Sequence, residues 1–563
     1  MVLIAAPALL PEPRLALAPL TSAARPAAAL ALSNCTAGVV PWDIVYVRAP
    51  RYGDSTNTSW PDTTRPMEPD PGADLRLLHP NCTEEVLFPL PSHQAIVDAP
   101  IASGSASDPF VSFDGRFVVF AWYHDQTDIN PQRDQAYAGA DVYRLELATR
   151  RVVRLTRQEF TPNTGNGADF SNCGGPGQGA NCPRFGVFNI GPAFVAREDP
   201  SRPAIVFTST RNNLLPPKPF GSSGHSLQLF AMDWDGKNVE QIGYLNVARA
   251  LHPFQLEDGR LLFTSWENQG LRDDRQFNLW FLNPDGTGWA SASGFGENAM
   301  GHHFATQLGN GDVAVVRYYN FNNNGFGDLV RFPLDPPGPD FRPITAPGSY
   351  MPFERPGQID LTDWASSPFD LSEDMPAPCT PGGFMYGESN VICANGNANR
   401  VGKVTHPAAA PSGGILLVYT KGPANHNGIH VGNGSALPFY DGGLYLMPPA
   451  AASSGSTDPA ALVRILNDPA YNEQWPRPVA AYSSLFPGKA QPAVWPSRGN
   501  YGEAEHNLPE NTAFGLVGSS SRLWRDTEPR PGRYGGDPDP FNGSHEFLYA
   551  WIHQGPDAGI YAD

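Results

Sequence analysis

The chain predicts an all-β fold, a six-bladed β-propeller, and three observations carry that prediction. A unit of short strands rich in Val, Ile, Leu, Phe and Tyr recurs five times, Asp-Gly pairs punctuate the units, and the strands left over at the two ends of the repeated region complement each other. Glycine (57) and proline (59) make up about a fifth of the 563 residues, and aromatics reach 11%, a composition of many turns with ample packing material.

The first unit begins DPFVSFDGRFVVFAW at Asp108 and resumes as ADVYRLELATRRVVRLT, ending at Thr156. The second runs GPAFVAREDPSRPAIVFTS from Gly191 and continues as SLQLFAMDWDGKNVEQIG to Gly243. The third is HPFQLEDGRLLFTSW from His252 with FNLWFLNPDGTGWAS after it, and the fourth is HHFATQLGNGDVAVVRYY from His302 with DLVRFPLD. The fifth is HPAAAPSGGILLVYT from His406, followed by GLYLMP and LVRIL. The turns Asp114-Gly115, Asp235-Gly236, Asp258-Gly259 and Asp285-Gly286 are hairpin signals, so each unit reads as four antiparallel strands. One such blade cannot bury both faces alone, so neighbours stack into a ring that needs a closing device.

Residues 43–48 (DIVYVR), DLRLLHP and EEVLFPL supply three strands of a first blade that lacks its innermost strand. RPVAAY, from Arg477 to Tyr482, is an unpartnered strand predicted to pair with the one beginning at Asp43. Five whole blades and one split blade give six. The stretch from about 336 to 403 is long enough to hold a seventh, and the sequence leaves that alternative open. The expected organisation is a leader over 1–41 read as the remnant of an export signal, a propeller over 42–482, and an extension over 483–563 packing on it.

A formal net charge of -18 opposes nucleic acid and anionic membranes, which are held through Lys and Arg. No stretch reaches the roughly 18 apolar residues of a bilayer span. The six cysteines group as Cys35 with Cys82, Cys173 with Cys182, and Cys379 with Cys393. Read as disulfides, they place the protein in the periplasm or outside the cell; the alternative is six free thiols, four of them in polar Gly-rich loops. The chain contains no Cys-x-x-Cys, hence no zinc ribbon and no covalent c-type haem motif.

DPFVSFDGRFVVF resembles the PD40 repeat of TolB-type propellers. WDIVYVRAPRYGD, ADLRLLHPNCTEEVLF, GHHFATQLGNGDVAVV and EQWPRPVAAY together resemble the propeller-bearing middle domain of hydrazine synthase alpha subunit-like proteins, over roughly residues 42–560. The resemblance implies an extracytoplasmic protein. Many such proteins continue into a segment with a Cys-x-x-Cys-His haem motif, which this sequence does not contain, so hydrazine chemistry is not carried over.

Long insertions (90–107, 157–189, 336–403, 123–139, 210–225, 267–276 and 421–441) and the tail after Tyr482 are all expected on one face of the ring, opposite the short Asp-Gly turns. Function concentrates in long loops on a rigid scaffold, so this covered face is expected to bind a protein partner or a small-molecule or saccharide ligand. Aligned on the turn glycine, Asp108, Gly191, His252, His303 and His406 fall at or near one step, just before the innermost strand and near the axis, with His302 adjacent. Imidazole and carboxylate suit Zn, Mn or Fe, which makes His252, His303, His406, Asp108 and His302 candidate ligands of a divalent metal. The other reading has each histidine cap a strand by bonding a neighbouring backbone.

The chain has no G-x-S-x-G elbow, no H-E-x-x-H, no phosphate-cradling loop and no dinucleotide fingerprint. Two functions remain open: an extracytoplasmic binding or scaffold module, and a metal-dependent enzyme of the polysaccharide lyase or hydrolase type using the axial histidines. TolB-like lyases that act on acidic sugars resemble the second.

Overall fold

The computed structural model describes residues 30–51, 66–67, 69–127, 129–130, 135–136, 138–159, 186–212, 225–243, 249–266, 277–292, 300–319, 325–334, 342–343, 353–354, 357–362, 364–365, 402–421 and 441–495. Six antiparallel sheets form a ring. The second blade, from the axis outward, is Ser105–Val111, Phe117–Tyr123, Ala140–Glu146 and Val152–Arg154. The third is Asn189–Val195, Ala204–Ser209, Gln228–Met232 and Glu240–Gln241. The fourth starts with Arg249–Gln255, Leu261–Trp266 and Phe277–Leu282, and ends on Ala290–Ser291. Met300–Gln307, Val313–Tyr319, Asp328–Phe332 and Ile359–Asp360 make the fifth, so part of the stretch that left room for a seventh blade is an outer strand here. The sixth is Lys403–Ala409, Ile415–Thr420, Gly443–Met447 and Val463–Leu466.

The first blade is shared between the two ends of the repeated region. Ile44–Pro50, Asp74–Leu78 and Thr83–Phe88 come from one end, and Tyr471–Pro478 from the other lies innermost. The pairing runs from Ile44 opposite Pro478 to Pro50 opposite Tyr471. The split blade is therefore as expected, but its closing strand is 471–478 and not 477–482. Pro476 lies inside that strand although it has no N–H to donate: the innermost strand leaves one edge unpaired, and a bulge on that edge accepts proline.

That shift moves the tail to the other face. An innermost strand runs toward the turn that joins it to the second strand, so the chain leaves Pro478 among the short turns and not among the long loops. The Tyr482 N–H donates to the Phe113 carbonyl (2.7 Å), that of Ala493 to Glu257 (2.9 Å), and Lys489 pairs with Glu257. Residues 479–495 thus cross the short-turn face. Gly259, at φ +98°, marks how closely: a Cβ there would lie 2.8 Å from the Ala493 carbonyl oxygen.

Packing between blades is aromatic and aliphatic. Between the first and second blades, Phe88 meets Phe120, Trp122 and Tyr143 at centroid distances of 5.1, 5.0 and 5.5 Å, all four buried. Cys35 and Cys82 form a disulfide that ties the segment before the first strand to this blade. The other four cysteines lie outside the described residues. No helix among the described residues is long and apolar enough to cross a membrane.

Candidate functional site

Every inner strand carries one bulge near its middle, where two residues stand against one on the neighbouring strand. The backbone turns left-handed at that point in all six blades: Asp108 (φ 53°), Gly191 (58°), His252 (49°), Phe304 (54°), His406 (47°) and Trp475 (55°). Five of these six precede a proline. Only glycine takes this conformation without cost; for the others it is roughly 1–2 kcal/mol each, so the fold holds five strained side chains around one axis.

The candidates therefore lie inside the strands and not before them. Pairing with the second strand begins three residues earlier, at Ser105, Arg249 and Lys403, because an x-Pro step that reads as a strand start is in fact a mid-strand bulge. In the fifth blade the equivalent residue is Phe304, and His303 precedes it. The spacing to the turn glycine carried this signal: Gly115, Gly259, Gly311 and Gly413 each stand seven residues after Asp108, His252, Phe304 and His406. Trp475, the sixth member, was missed, since its strand was read as starting after it.

The structure brings Asp108, His252 and His303 into one hydrogen-bonded chain across three blades. His252 Nε2 lies 3.3 Å from Asp108 Oδ1, His252 Nδ1 lies 2.7 Å from His303 Nε2, and His303 Nδ1 lies 2.8 Å from the Tyr318 hydroxyl. With Asp108 as carboxylate, one set of neutral tautomers satisfies every link: Tyr318 donates to His303, His303 to His252, and His252 to Asp108. Asp108 also accepts from Ser107 Oγ (3.0 Å) and the Gly191 N–H (3.0 Å). Burial, with His252 and His406 nearby, holds His303 well below the ordinary imidazole range, in keeping with a neutral ring.

His406 stands apart. Its Nδ1 accepts the Trp475 N–H (3.2 Å), its ring stacks on the Trp475 indole (3.7 Å, 15°), and the Phe304 ring contacts it edge-on at 4.5 Å while stacking on His303 at 3.7 Å. Phe304 thus comes between the two histidines. Strand alternation puts the His302 side chain on the opposite face from His303, and its carbonyl accepts from Thr264 Oγ1 (2.9 Å).

Between this ring of bulges and the crossing segment lies an axial cavity of about 150 Å³. Its wall includes Pro109, Pro192, Pro253, Pro407 and Pro478, with Asp108, His252, Arg477 and Tyr482 as its ionisable members. The Arg477 guanidinium donates to backbone carbonyls, Nε to Pro109 (3.1 Å) and Nη1 to Pro407 (3.3 Å) and Pro476 (3.1 Å), and lies 5.8 Å from the Trp475 ring centroid.

Asp98, His124 and Asp141, at the second blade, are the group of three among the described residues whose ligand atoms lie within 4.8 Å of one another. A guanidinium already occupies that space. Arg154 pairs with both oxygens of Asp98 and lies 2.6 Å from Asp141 Oδ2, which His124 Nε2 also meets at 2.9 Å. The group reads as an ion-pair network with His124 and Asp141 buried and Asp98 at the surface.

No protein-family model matches this chain, and no curated protein matches it. Among solved structures it is similar to hydrazine synthase of Kuenenia stuttgartiensis, at 14% identity over 81% of this chain and 48% of that one, with a TM-score of 0.49. TolB from Acinetobacter baumannii is similar at 10% identity over 78% and 66%, TM-score 0.37, and an oligogalacturonate lyase in complex with manganese at 11% over 79% and 85%, TM-score 0.32. The chain spans about half the length of the hydrazine synthase chain.

Proposed function

We propose that this protein is an extracytoplasmic binding and scaffold module, of the kind implied by its resemblance to hydrazine synthase alpha subunit-like proteins, and that its ligand sits in the axial cavity. The observation that carries the reading is the place of that cavity on the axis: all six bulged inner strands contribute to its wall, and Ala480, Tyr482, Leu485 and Phe486 of the crossing segment line its short-turn side. A preformed, mainly apolar hollow with a few converging polar groups is the usual form of a small-molecule site. The disulfide supports the oxidising compartment. Ligand-observed NMR with benzyl alcohol tests the location. Binding that disappears in Ala305→Leu, which fills the wall, is the expected result, and binding unchanged by it rules out the axial cavity.

A second reading is favoured by one distance. His252 Nδ1 and His303 Nε2 face each other at 2.7 Å, with Asp108 and Tyr318 on the far nitrogens, and a metal-binding histidine commonly has its other nitrogen bonded to such an orienting group. In this reading a divalent metal replaces the proton the two rings share. His252 and His303 are the ligands, Asp108 orients His252, and His302 and His406 take no part. When bound, such an ion would supply Lewis-acid chemistry in the axial channel. Metal content of protein loaded with Zn²⁺ or Mn²⁺ decides it: stoichiometric metal retained by His303→Ala ends this reading.

A further inference from the structure

We infer that the axial cavity selects a small apolar carboxylate, with the carboxylate on Arg477 and the apolar body against the prolines and phenylalanines of the wall. The inference rests on the binding-module reading and names the class of ligand. It follows from a mismatch of donors and acceptors.

The donors are in excess. Trp475 and Tyr482 both belong to the cavity wall and are 2% and 8% exposed, yet neither the indole N–H nor the phenol O–H has a hydrogen-bond partner. Leaving a buried polar group unpaired costs about 1–3 kcal/mol, so two on one wall call for an acceptor from outside the protein. Arg477 adds charge to the same wall. Its guanidinium has no acidic side chain within ion-pair distance among the described residues; its hydrogen bonds go to the carbonyls of Pro109, Pro407 and Pro476. Burial pushes it down only to about 10, and Asp108 acts the other way, so it remains a cation at neutral pH.

The acceptors are spent. Asp108 already receives Ser107, Gly191 and His252. Gln255 Oε1 takes the Ala196 N–H (2.6 Å), and Gln307 Oε1 takes the Glu257 N–H (2.7 Å). A ligand that brings oxygen lone pairs and a negative charge therefore matches this wall, and one that brings donors does not. With Nε and Nη1 given to carbonyls, the Nη2 group of Arg477 remains as the charged donor for a carboxylate oxygen.

Size and polarity set the remainder of the ligand. A cavity of about 150 Å³ is of the size that accepts a benzene ring. Phe110, Phe113 and Phe254 join the prolines on the wall, so the part beyond the carboxylate is apolar and about the size of one ring.

Benzoate and benzyl alcohol, which share a ring and differ in the charge of the head group, test this by calorimetric titration of the full chain. The expected result is benzoate at least tenfold tighter than benzyl alcohol, with the preference lost in Arg477→Gln. Because Arg477 also ties three carbonyls together, Tyr482→Phe serves as the second variant. It removes one hydroxyl and weakens benzoate by about three- to tenfold, one hydrogen bond's worth, and benzyl alcohol by less, because its uncharged hydroxyl accepts a weaker bond. Equal affinity for the two probes, or wild-type benzoate affinity in either variant, overturns the carboxylate inference and leaves the cavity reading standing. If neither probe binds, both fall.

Discussion

His252 Nδ1 lies 2.7 Å from His303 Nε2, although the two residues come from inner strands of different blades. One proton serves both nitrogens, so the two rings cannot both bring one to this contact. Burial holds His303 well below the ordinary imidazole range, and it does the same to His406, where Arg477 and His252 add to the effect. In the unfolded chain both return to about 6.5. The unfolded state then binds more protons as the pH falls below that value, so stability that is full at higher pH drains away toward the lower folded-state values. Melting temperature is expected to fall between pH 7.5 and 5.5. His406→Gln should flatten the profile by up to about 1.4 kcal/mol per pH unit. Parallel profiles for the variant and the parent would count against this account.

Closure of the ring depends on Trp475 as much as on the strand that carries it. The indole stacks on His406, contacts Phe304 at 5.1 Å and His252 at 4.9 Å, and is 2% exposed. Trp475→Ala is expected to cost about 3–5 kcal/mol in urea unfolding, the range for truncating a buried aromatic. Removing everything after Ala470 takes away the whole inner strand of the first blade and should cost more. A truncated chain that melts like the full one would show that the pairing with Ile44–Pro50 does not hold the ring.

The disulfide between Cys35 and Cys82 closes a loop with a sequence separation of 47. On the chain-entropy model a loop of that length is worth about 4 kcal/mol. Denaturant curves with and without reductant should differ by up to that amount. Thiol titration of the unfolded, unreduced chain adds a count: close to none is expected if the pairs Cys173–Cys182 and Cys379–Cys393 also form. Four free thiols would leave Cys35–Cys82 as the one bridge.

The blades were readable because their signals are local. Val118 to Trp122 and Leu261 to Phe263 spell strands by side-chain type, and Asp114-Gly115 and Asp258-Gly259 spell the turns between them, with both glycines left-handed. The site was readable only in part. Asp108, His252, His303 and His406 stood out by their nearly shared distance from the turn glycine, but whether they meet depends on ring geometry that no spacing encodes. Phe304 was overlooked beside two histidines because an aromatic residue reads as core. Arg477 gave no signal at all: its partners Pro109 and Pro407 lie 368 and 70 residues away and offer only carbonyls.

Asp141 is the residue whose loss should expose most clearly what the second blade spends on charge. It is fully buried, and its two oxygens accept from Arg154 (2.6 Å), Thr156 Oγ1 (2.6 Å), the Gln158 N–H (3.0 Å) and Asn189 Nδ2 (3.1 Å), besides meeting His124 at 2.9 Å. Burial alone would push this carboxyl up, yet His124, Arg154 and Thr156 outweigh it and hold it below the usual carboxylate range. Its contribution is therefore complete at neutral pH and is lost only in acid, as the pH falls from about 3.9 through the lower folded value. Asp141→Ala leaves the Arg154 guanidinium half-paired in the interior, because Asp98, its remaining acid, is largely exposed. Breaking one partner of a buried pair typically costs about 3–5 kcal/mol, and that loss is expected at pH 7 by urea unfolding. Changing Asp141 and Arg154 together, to Leu and Met, removes both charges and should recover part of it. If the double variant is as unstable as Asp141→Ala alone, the aspartate matters for its bonds to Thr156, Gln158 and Asn189, which tie the end of the second blade to the inner strand of the third, and not for its charge.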